Sequence, residues 1–494
     1  MHINPTVFRE YDIRGIAGAN FTDKAKEEYE KWYGPFPGVT ITLAAARAIG
    51  KAFGTTLRRD GGREVVIGHE VRPFAEDLTR EFIDGILSTG CNVADLGESV
   101  TPVVYFASAL SEFDGGANVT GSHNAYFYNG FKLVEKGARP IFGAELQEMQ
   151  KMIEREDFIE ERCGTYVKRD GYAAYKEYFL KHIKFNRKFR IVIDSGNGSA
   201  GMFAPDLFRG AGCDVVELYS EPDATFPNHT PDPHMPQFMA DLQKKVKDTG
   251  ADIGIAFDAD ADRVGFVDEN GRLIDPELIT LAFAKDVLTR FPGKKILYTV
   301  KSSQLIEELV PQYGGVPLIH RNGHAPIKET LRLDDDIIFA GEDTAHFFFV
   351  ENYFRIDDGL WAAGQLLKLV ERTGKPFSEL FRDIPLRVRT PELKLPCRDE
   401  EKFDIINKIQ TSLGRRYPSL TLDGVRFKVG KTGWGLVRAS NTAPYLTVRA
   451  EDMTKEGVLR IKKILADELE KYDAIGDRLN CSAVATLTGR LGWV

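Results

Sequence analysis

Three aspartates alternate in the stretch IGIAFDADADRVGFVDENG, where Asp258, Asp260 and Asp262 follow directly on an apolar run with strand character. At the carboxyl end of a buried strand, where open α/β sheets bind their ligands, such carboxylates converge. Two carboxylates about 4 Å apart repel by about 4 kcal/mol at an effective dielectric of about 20. Convergence therefore needs a cation, and an all-oxygen ligand set suits a hard divalent ion such as Mg²⁺. A solvated acidic turn is the plain alternative. An EF-hand fits poorly: Glu269 falls at its twelfth position, but Arg263 stands where the sixth requires glycine, and the flanks read as strands.

Three further stretches carry candidate chemistry. In NVTGSHNAYFYNGFKLV, Ser122 and His123 lie in a small polar segment ahead of a strand-like GFKLV, where a hydroxyl can be exposed as a nucleophile. A simple turn capped by the serine hydroxyl explains the same residues, and no GxSxG elbow is present. In IIFAGEDTAHFFFVENYFRIDDG, Glu342, Thr344 and His346 alternate after an apolar strand and suit sugar hydroxyls, or a metal through Glu342 and His346. The following run Phe347 to Phe349 reads as core. In VRASNTAPYLTVRAE, Arg438, Ser440, Asn441 and Thr442 supply a guanidinium fork, hydroxyls and an amide, the inventory of a phosphate site or of a hydrogen-bonded turn. GNGSAG at 196–201 matches a dinucleotide-binding fingerprint, with Glu217 at the end of the next strand, yet its glycines serve a tight strand-to-helix turn equally well. GVRFKVGKT is not a phosphate-binding loop of the Walker type, because its glycine spacing is one residue too long and a strand follows it.

The elements that must position these residues are strands alternating with amphipathic helices. REVVIGHE, then FAEDLTREFIDGILSTG, then CNVADLG sets a rhythm of parallel βαβ units that restarts at FRIVIDSGNGSAG and again at GKKILYTVKSS. The expected architecture is three successive similar α/β domains with mixed, mainly parallel sheets, spanning 1–165, 166–275 and 276–388. After the proline-bearing stretch at 384–402 the pattern changes to antiparallel strands with glycine turns between two helices, predicting a smaller α+β domain over 389–494. The charged stretch at 151–171 reads as a helical linker, and the residues from about Asp477 as a mobile tail.

Length and charge bound the function. A chain of 494 residues is too long for one core at about 150 residues per domain. Its 65 basic against 73 acidic side chains, a net charge of −8, argue against general affinity for nucleic acid or an anionic membrane. Five scattered cysteines without a CxxC pair suggest neither a disulfide framework nor a zinc site. With no signal peptide and no apolar run approaching the length of a membrane span, a cytoplasmic protein is expected.

Taken together and in order, FREYDIRG, TGSHNAYFYNGFK, DADADR, GEDTAH and RASNTAP resemble the α-D-phosphohexomutase superfamily, the phosphoglucomutases and phosphomannomutases. The resemblance spans nearly the whole chain and implies four domains around a central cleft. It implies that Ser122 is the phosphorylated serine, and that Ser122 with Asp258, Asp260 and Asp262 holds Mg²⁺. Glu342 and Thr344 would meet sugar hydroxyls, and Arg438, Ser440, Asn441 and Thr442 would hold the nonreacting phosphate. Arg14, His123, Lys132, Arg263, Lys301 and His324 would line the cleft, with Lys132 and His324 as proton-transfer candidates. A phosphoserine adds about −1.5 to −2 charge, which cationic side chains and a metal must offset, and transfer of its phosphoryl group demands positioning above all. The implied activity is interconversion of hexose 1-phosphate and hexose 6-phosphate, of glucose and/or mannose, with a sugar 1,6-bisphosphate as intermediate and activator, in a monomer or homodimer. A phosphoglucosamine mutase, a metal-dependent sugar phosphatase and a silent sugar-phosphate binder are the alternatives. Several positions depart from the common pattern: Gly121, Ala125, Ala259, Thr344, Ala345 and Ala443 differ. Ala345 replaces a glycine, so it is expected to resist a left-handed turn in the loop that meets the sugar.

Overall fold

The structure, a computed structural model, describes residues 3–18, 23–33, 35–110, 112–398, 400–441 and 445–475. The chain forms two compact units, one of Met1–Gly271, His324–Asp335 and Thr344–Phe377, the other of Arg272–Gly323, Asp336–Asp343 and Ser378–Val494. The third α/β segment is thus divided between them, and the tail expected from Asp477 lies outside the described residues.

The first unit holds two mixed sheets. One runs in the order Ile13–Ile16, Tyr128–Glu135, Gly115–Val119, Glu64–His69, Asn92–Glu98, Tyr166–Lys168. Its four last strands are mutually parallel, while Tyr128–Glu135 is antiparallel to both of its neighbours. Helices Leu43–Arg59 and Ala75–Leu87 cover one face, burying Ile49, Phe53, Leu78, Phe82 and Ile86 at helical spacing, each burial contributing about 1.5–3 kcal/mol. The stretch expected to be a helical linker is helical only through Arg155. Glu156 ends that helix in the left-handed region, and Tyr166–Lys168 then joins the first sheet as an edge strand, because Val93–Asp95 offers it a parallel ladder.

The other sheet of this unit sets Arg190–Asp194 between Asp214–Leu218 and Ile253–Phe257, all parallel, with Val264–Asp268 antiparallel to Ile253–Phe257. Ile253–Phe257 is buried along its whole length, which explains why its sequence is continuously apolar rather than alternating. It delivers the backbone to Asp258 at its carboxyl end.

The second unit contains the parallel strands Val316–His320, Lys295–Thr299 and Ile337–Gly341. It also contains an antiparallel sheet in which Tyr445–Asp452 pairs with Gly433–Ala439, which pairs with Val425–Val429. Helices Lys402–Gly414 and Lys455–Leu469 supply Ile405, Ile409, Leu413, Val458, Ile461 and Leu465 to the core beneath that sheet. The α+β character expected for the end of the chain is present.

Candidate active site

The aspartate loop folds back on itself within the first unit. Asp258 accepts a hydrogen bond from the Arg263 amide at 3.0 Å, and Ala261 turns the chain with φ 61°. Asp258, Asp260 and Asp262 are fully buried, and one carboxylate oxygen from each lies within 4.8 Å of the others. The GNGSAG turn backs this loop. A Cβ on Gly198 would sit 2.6 Å from the Ala259 Cα, and the Ser199 amide donates to the Ala259 carbonyl at 3.0 Å. Those glycines admit the protein's own backbone rather than a pyrophosphate, which removes the dinucleotide reading.

The expectation that only an added cation offsets the carboxylate repulsion needs correction. Lys132, on the strand Tyr128–Glu135 and 3% exposed, donates to Asp260 Oδ2 at 2.6 Å and also to Asp262 Oδ2. Thr101 Oγ1 donates to Asp260 Oδ2 at 2.5 Å. Burial opposes the charge on Lys132, but Asp260 and Asp262 outweigh it and hold the ammonium well above its ordinary value. Burial, reinforced by Asp260 and Asp262, pushes the Asp258 carboxyl well up. Burial acts the same way on Asp262, yet Lys132 and His346 win and hold that carboxyl well down. Asp260 Oδ1 and Asp262 Oδ1 are buried without a hydrogen bond. An oxygen-rich pocket with open lone pairs fits a hard divalent ion.

Ser122 stands at this pocket. Its Oγ is 3.4 Å from Asp258 Oδ2 and 3.2 Å from His123 Nδ1, and its amide donates to Thr120 Oγ1 at 2.7 Å. The serine is 3% exposed and has φ 52°, a left-handed conformation that costs a non-glycine residue about 1–3 kcal/mol. The surroundings that enforce it were missed in the sequence. Arg72, buried, donates to the carbonyls of Ser122, of Asn124 at 2.6 Å and of Ala125 at 2.5 Å, and its Nε reaches Glu70. Glu70 in turn accepts from the Gly121 amide at 2.5 Å. Arg14 adds a donor to the Gly121 carbonyl and pairs with Asp12. The signal was available: Glu70 and Arg72 follow the carboxyl end of Glu64–His69, the same position relative to a strand that singled out Asp258.

A histidine group adjoins the aspartates. Arg263 Nε donates to His346 Nε2 at 3.3 Å, His346 Nε2 lies 3.4 Å from Asp262 Oδ1, and Thr344 Oγ1 is 3.4 Å from His346 Nδ1. His324 stacks on His346 with ring centroids 5.8 Å apart. Burial, then the nearby Lys328 charge, holds the His324 imidazole well below its ordinary value, so it is neutral at physiological pH. Ala345 takes the left-handed turn after all, with φ 69°. Its carbonyl accepts from the Val264 amide at 3.2 Å, a contact that holds an alanine where glycine is the easier fit. Phe347, Phe348 and Phe349 are buried core, as expected.

The second unit holds the remaining candidates. Glu342 is 2% exposed and accepts from the Gly323 amide at 2.9 Å, so one of its oxygens is already engaged. Lys301 meets Glu392 at 2.7 Å and Asp343 at 3.2 Å. Burial opposes its charge, but the two carboxylates hold its ammonium above the ordinary value. Arg438 leaves the strand Gly433–Ala439 and donates to Asp423 at 3.1 Å, and Ser440 closes the next turn by donating its amide to the Tyr445 carbonyl at 2.9 Å. Gly424 has φ 74°, and a Cβ there would sit 2.6 Å from the Arg438 Cα. Asn441 follows in the same turn, and Thr442 lies outside the described residues.

Four family models for phosphoglucomutase/phosphomannomutase match this chain: α/β/α domain I over residues 5–160, domain II over 173–271, domain III over 275–388 and the C-terminal domain over 392–468. The chain belongs to that family. A phosphomannomutase/phosphoglucomutase of Pseudomonas aeruginosa is 36% identical over 470 residues, covering 95% of this chain and 96% of the relative. A phosphoglucomutase of Neisseria gonorrhoeae is 35% identical over 465 residues, covering 93% and 96%. The crystal structure of a phosphoglucomutase/phosphomannomutase family protein from Burkholderia thailandensis superposes with a TM-score of 0.84 at 34% identity, covering 99% of this chain and all of that one. The family, the α/β architecture with its distinct last domain, and the mutase class expected from the sequence are borne out. Among the described residues, no helix is long and apolar enough to cross a membrane.

The first unit brings together Ser122, His123, Arg14, Lys132, Asp258, Asp260, Asp262, Arg263, His324 and Thr344. Two partners besides Arg72 and Glu70 escaped sequence reasoning. Asp357 accepts from Lys328 at 2.8 Å and faces His324 at 3.5 Å, and Thr101 opens a helix against the Asp260 carbonyl at 2.9 Å.

Proposed function

We propose that this chain interconverts hexose 1-phosphate and hexose 6-phosphate, of glucose and/or mannose, by way of a phosphorylated Ser122 and a sugar 1,6-bisphosphate. One observation carries the reading: Ser122 Oγ lies 3.4 Å from Asp258 Oδ2, beside three converging carboxylates. Asp258, Asp260, Asp262 and the phosphorylated Ser122 hold Mg²⁺, which when bound offsets charge on the phosphoryl oxygens. In the forward step the bond from phosphorus to Ser122 Oγ breaks and a bond from phosphorus to a sugar hydroxyl oxygen forms. The hydroxyl proton leaves to His324, a proton-transfer candidate, and the departing Ser122 oxygen takes up a proton from His123, whose Nδ1 lies 3.2 Å from it. After the bisphosphorylated sugar turns round, the reverse transfer from its other end restores the phosphoserine.

Lys132 is better suited to electrostatics than to proton transfer, since its ammonium is held so firmly by Asp260 and Asp262. Arg14, His123 and Arg263 surround the transferred group with positive charge and donors. Glu342 and Thr344 read the sugar hydroxyls, Lys301 assists them, and Arg438, Ser440, Asn441 and Thr442 grip the phosphate that is not reacting. The segments 1–165, 166–275, 276–388 and 389–494 carry, in that order, the phosphoserine, metal, sugar and phosphate loops of this reading. The working enzyme is a cytoplasmic monomer or homodimer that uses a trace of sugar 1,6-bisphosphate as activator.

The test is a coupled assay with glucose, mannose and glucosamine 1-phosphates, each with Mg²⁺ and trace bisphosphate. Turnover of the glucose or mannose ester to its 6-phosphate is expected. Release of inorganic phosphate would make the chain a phosphatase, preference for glucosamine 1-phosphate would reassign the sugar, and ligand-induced thermal stabilisation without turnover would leave only a binder.

A further inference from the structure

Residues 219–235, between the strand Asp214–Leu218 and the helix Ala240–Thr249 of the first unit, contain neither helix nor strand. A connection of that length inside a compact fold is uncommon unless it carries a function. This one is pinned at several points. His229 Nε2 lies 3.2 Å from the Asp194 carboxylate, and Asn228 Nδ2 donates to Asn197 Oδ1 at 2.7 Å. A Cβ on Gly196 would sit 2.9 Å from the Pro231 Cβ, and one on Gly265 would sit 2.6 Å from the Pro233 carbonyl oxygen, so glycines let the segment lie this close. Phe226 lies against the Arg72 guanidinium, with 5.0 Å from Cζ to the ring centroid. Held in this way, the segment delivers one imidazole to the Ser122 loop: the rings of His234 and His123 meet edge to face, with centroids 6.2 Å apart and planes at 76°.

We propose that Asp232 and His234 are positioning residues, which hold the His123 imidazole in line with the Ser122 oxygen. Asp232 is 7% exposed, and its Oδ1 accepts a hydrogen bond from His234 Nδ1. An ionised carboxylate only accepts, so Nδ1 carries a proton and the bond fixes the orientation of the His234 ring. The backbone of Asp232 is itself held in a closed turn: its amide donates to the Thr230 carbonyl at 2.9 Å, and its carbonyl accepts from the Met235 amide at 3.2 Å. The line of contacts is continuous. Asp232 bonds His234, His234 packs on His123, and His123 Nδ1 lies 3.2 Å from Ser122 Oγ.

The inference rests on the proposed reaction, in which His123 gives a proton to the departing Ser122 oxygen and takes it back when the serine is rephosphorylated. A general acid contributes about 10²–10⁴-fold only while its proton is within hydrogen-bond reach, and a misplacement of about 1 Å costs up to ~100-fold. Without His234 the His123 ring loses one wall and reaches rotamers that turn Nδ1 away from Ser122 Oγ. The loss falls on kcat. The Michaelis constant holds, because Glu342 and Arg438, assigned to the sugar and the distal phosphate, belong to the other compact unit.

The experiment is a double-mutant cycle on the full chain, with glucose 1-phosphate, Mg²⁺ and trace glucose 1,6-bisphosphate, and with melting curves to establish that each variant folds. His123→Asn should lower kcat by about 100-fold and His234→Ala by about 10-fold, the latter with KM unchanged. The double variant should be no slower than His123→Asn alone, because His234 acts only through His123. Asp232→Ala should reproduce the His234→Ala loss, and Asp232→Asn, whose amide oxygen still accepts from Nδ1, should recover most of it. His234→Gln, polar but ringless, takes the place of His234→Ala if the latter does not fold. A double variant slowed by the product of the two single losses, an effect of His234→Ala confined to KM, or a wild-type kcat in the folded variant overturns the inference and leaves the proposed reaction standing. If His123→Asn keeps the wild-type kcat, the role of His123 in that reaction falls, and the inference with it.

Discussion

Replacing Arg72 by lysine tests whether the left-handed backbone at Ser122 is held by one guanidinium. Arg72 donates to the Ser122, Asn124 and Ala125 carbonyls and to Glu70, in directions that only a planar fork covers together. A lysine ammonium has donors enough for some of these acceptors but not the reach or the plane, so at least two bonds are lost. At about 1.5–3 kcal/mol for each bond to a charged group, the loop loses at least about 3 kcal/mol of its preference for the observed conformation. If phosphoryl transfer needs that conformation, kcat falls ~100-fold or more. The Michaelis constant should change little, because the residues assigned to the sugar and the distal phosphate, Glu342 and Arg438, lie in the other compact unit. Steady-state kinetics on glucose 1-phosphate, with intact-protein mass to follow the phosphorylated fraction, separates the two effects. Arg72→Ala is the wrong variant, since it leaves Glu70 buried without its partner and invites unfolding. A near-wild-type kcat in a folded Arg72→Lys protein, or a loss expressed wholly in the Michaelis constant, would refute the reasoning.

Ser122→Ala should lose the phosphorylated mass species and sustained turnover together; robust turnover by that variant removes Ser122 from the mechanism. Glu342→Ala, losing a hydrogen bond worth about 1.5–3 kcal/mol, should lower kcat/KM by ~10–150-fold and change the preference between glucose and mannose phosphates. Arg438→Ala should weaken both sugars alike, and the opposite pattern in competition assays would exchange the two roles. Asp358, fully buried among Tyr175, Tyr353 and the Trp361 amide, has its carboxyl pushed up to about 6, first by burial. The folded state therefore keeps a proton that the unfolded chain sheds from about pH 4 upward, so stability falls as pH rises from about 4 to about 6 and is then level. The span corresponds to about 3 kcal/mol. Asp358→Asn should gain on the wild type over that window in urea titrations, and a constant gap across pH would disprove the assignment.

How much was legible depended on whether a residue's partners were local. The apolar run before Asp258 announced a strand buried on both faces, and the alternating aspartates announced a loop at its end, because strand period and burial are written in consecutive residues. The antiparallel character of the last domain was legible for the same reason. The path of the chain after Arg155 was not: Tyr166–Lys168 is a strand because Val93–Asp95 offers a ladder, not because of its own residues.

Residue types and their order along the chain by themselves determined the four motif loops, the α/β class and the family, since each motif is contiguous and its chemistry follows from side-chain type. Only the tertiary structure decided which charges meet. It brought Lys132 onto Asp260 across 128 positions of sequence, so that an ammonium compensates carboxylates that read as needing an added ion. It placed Arg72 beneath Ser122 across 50 positions, and Thr101 on Asp260 across 159. It also turned the orphaned oxygen of Asp357 toward the His324 nitrogen. Buried charges interact strongly over a few ångströms in a low dielectric, so their pairing is set by which strand ends the fold brings together, and no spacing along the chain encodes that.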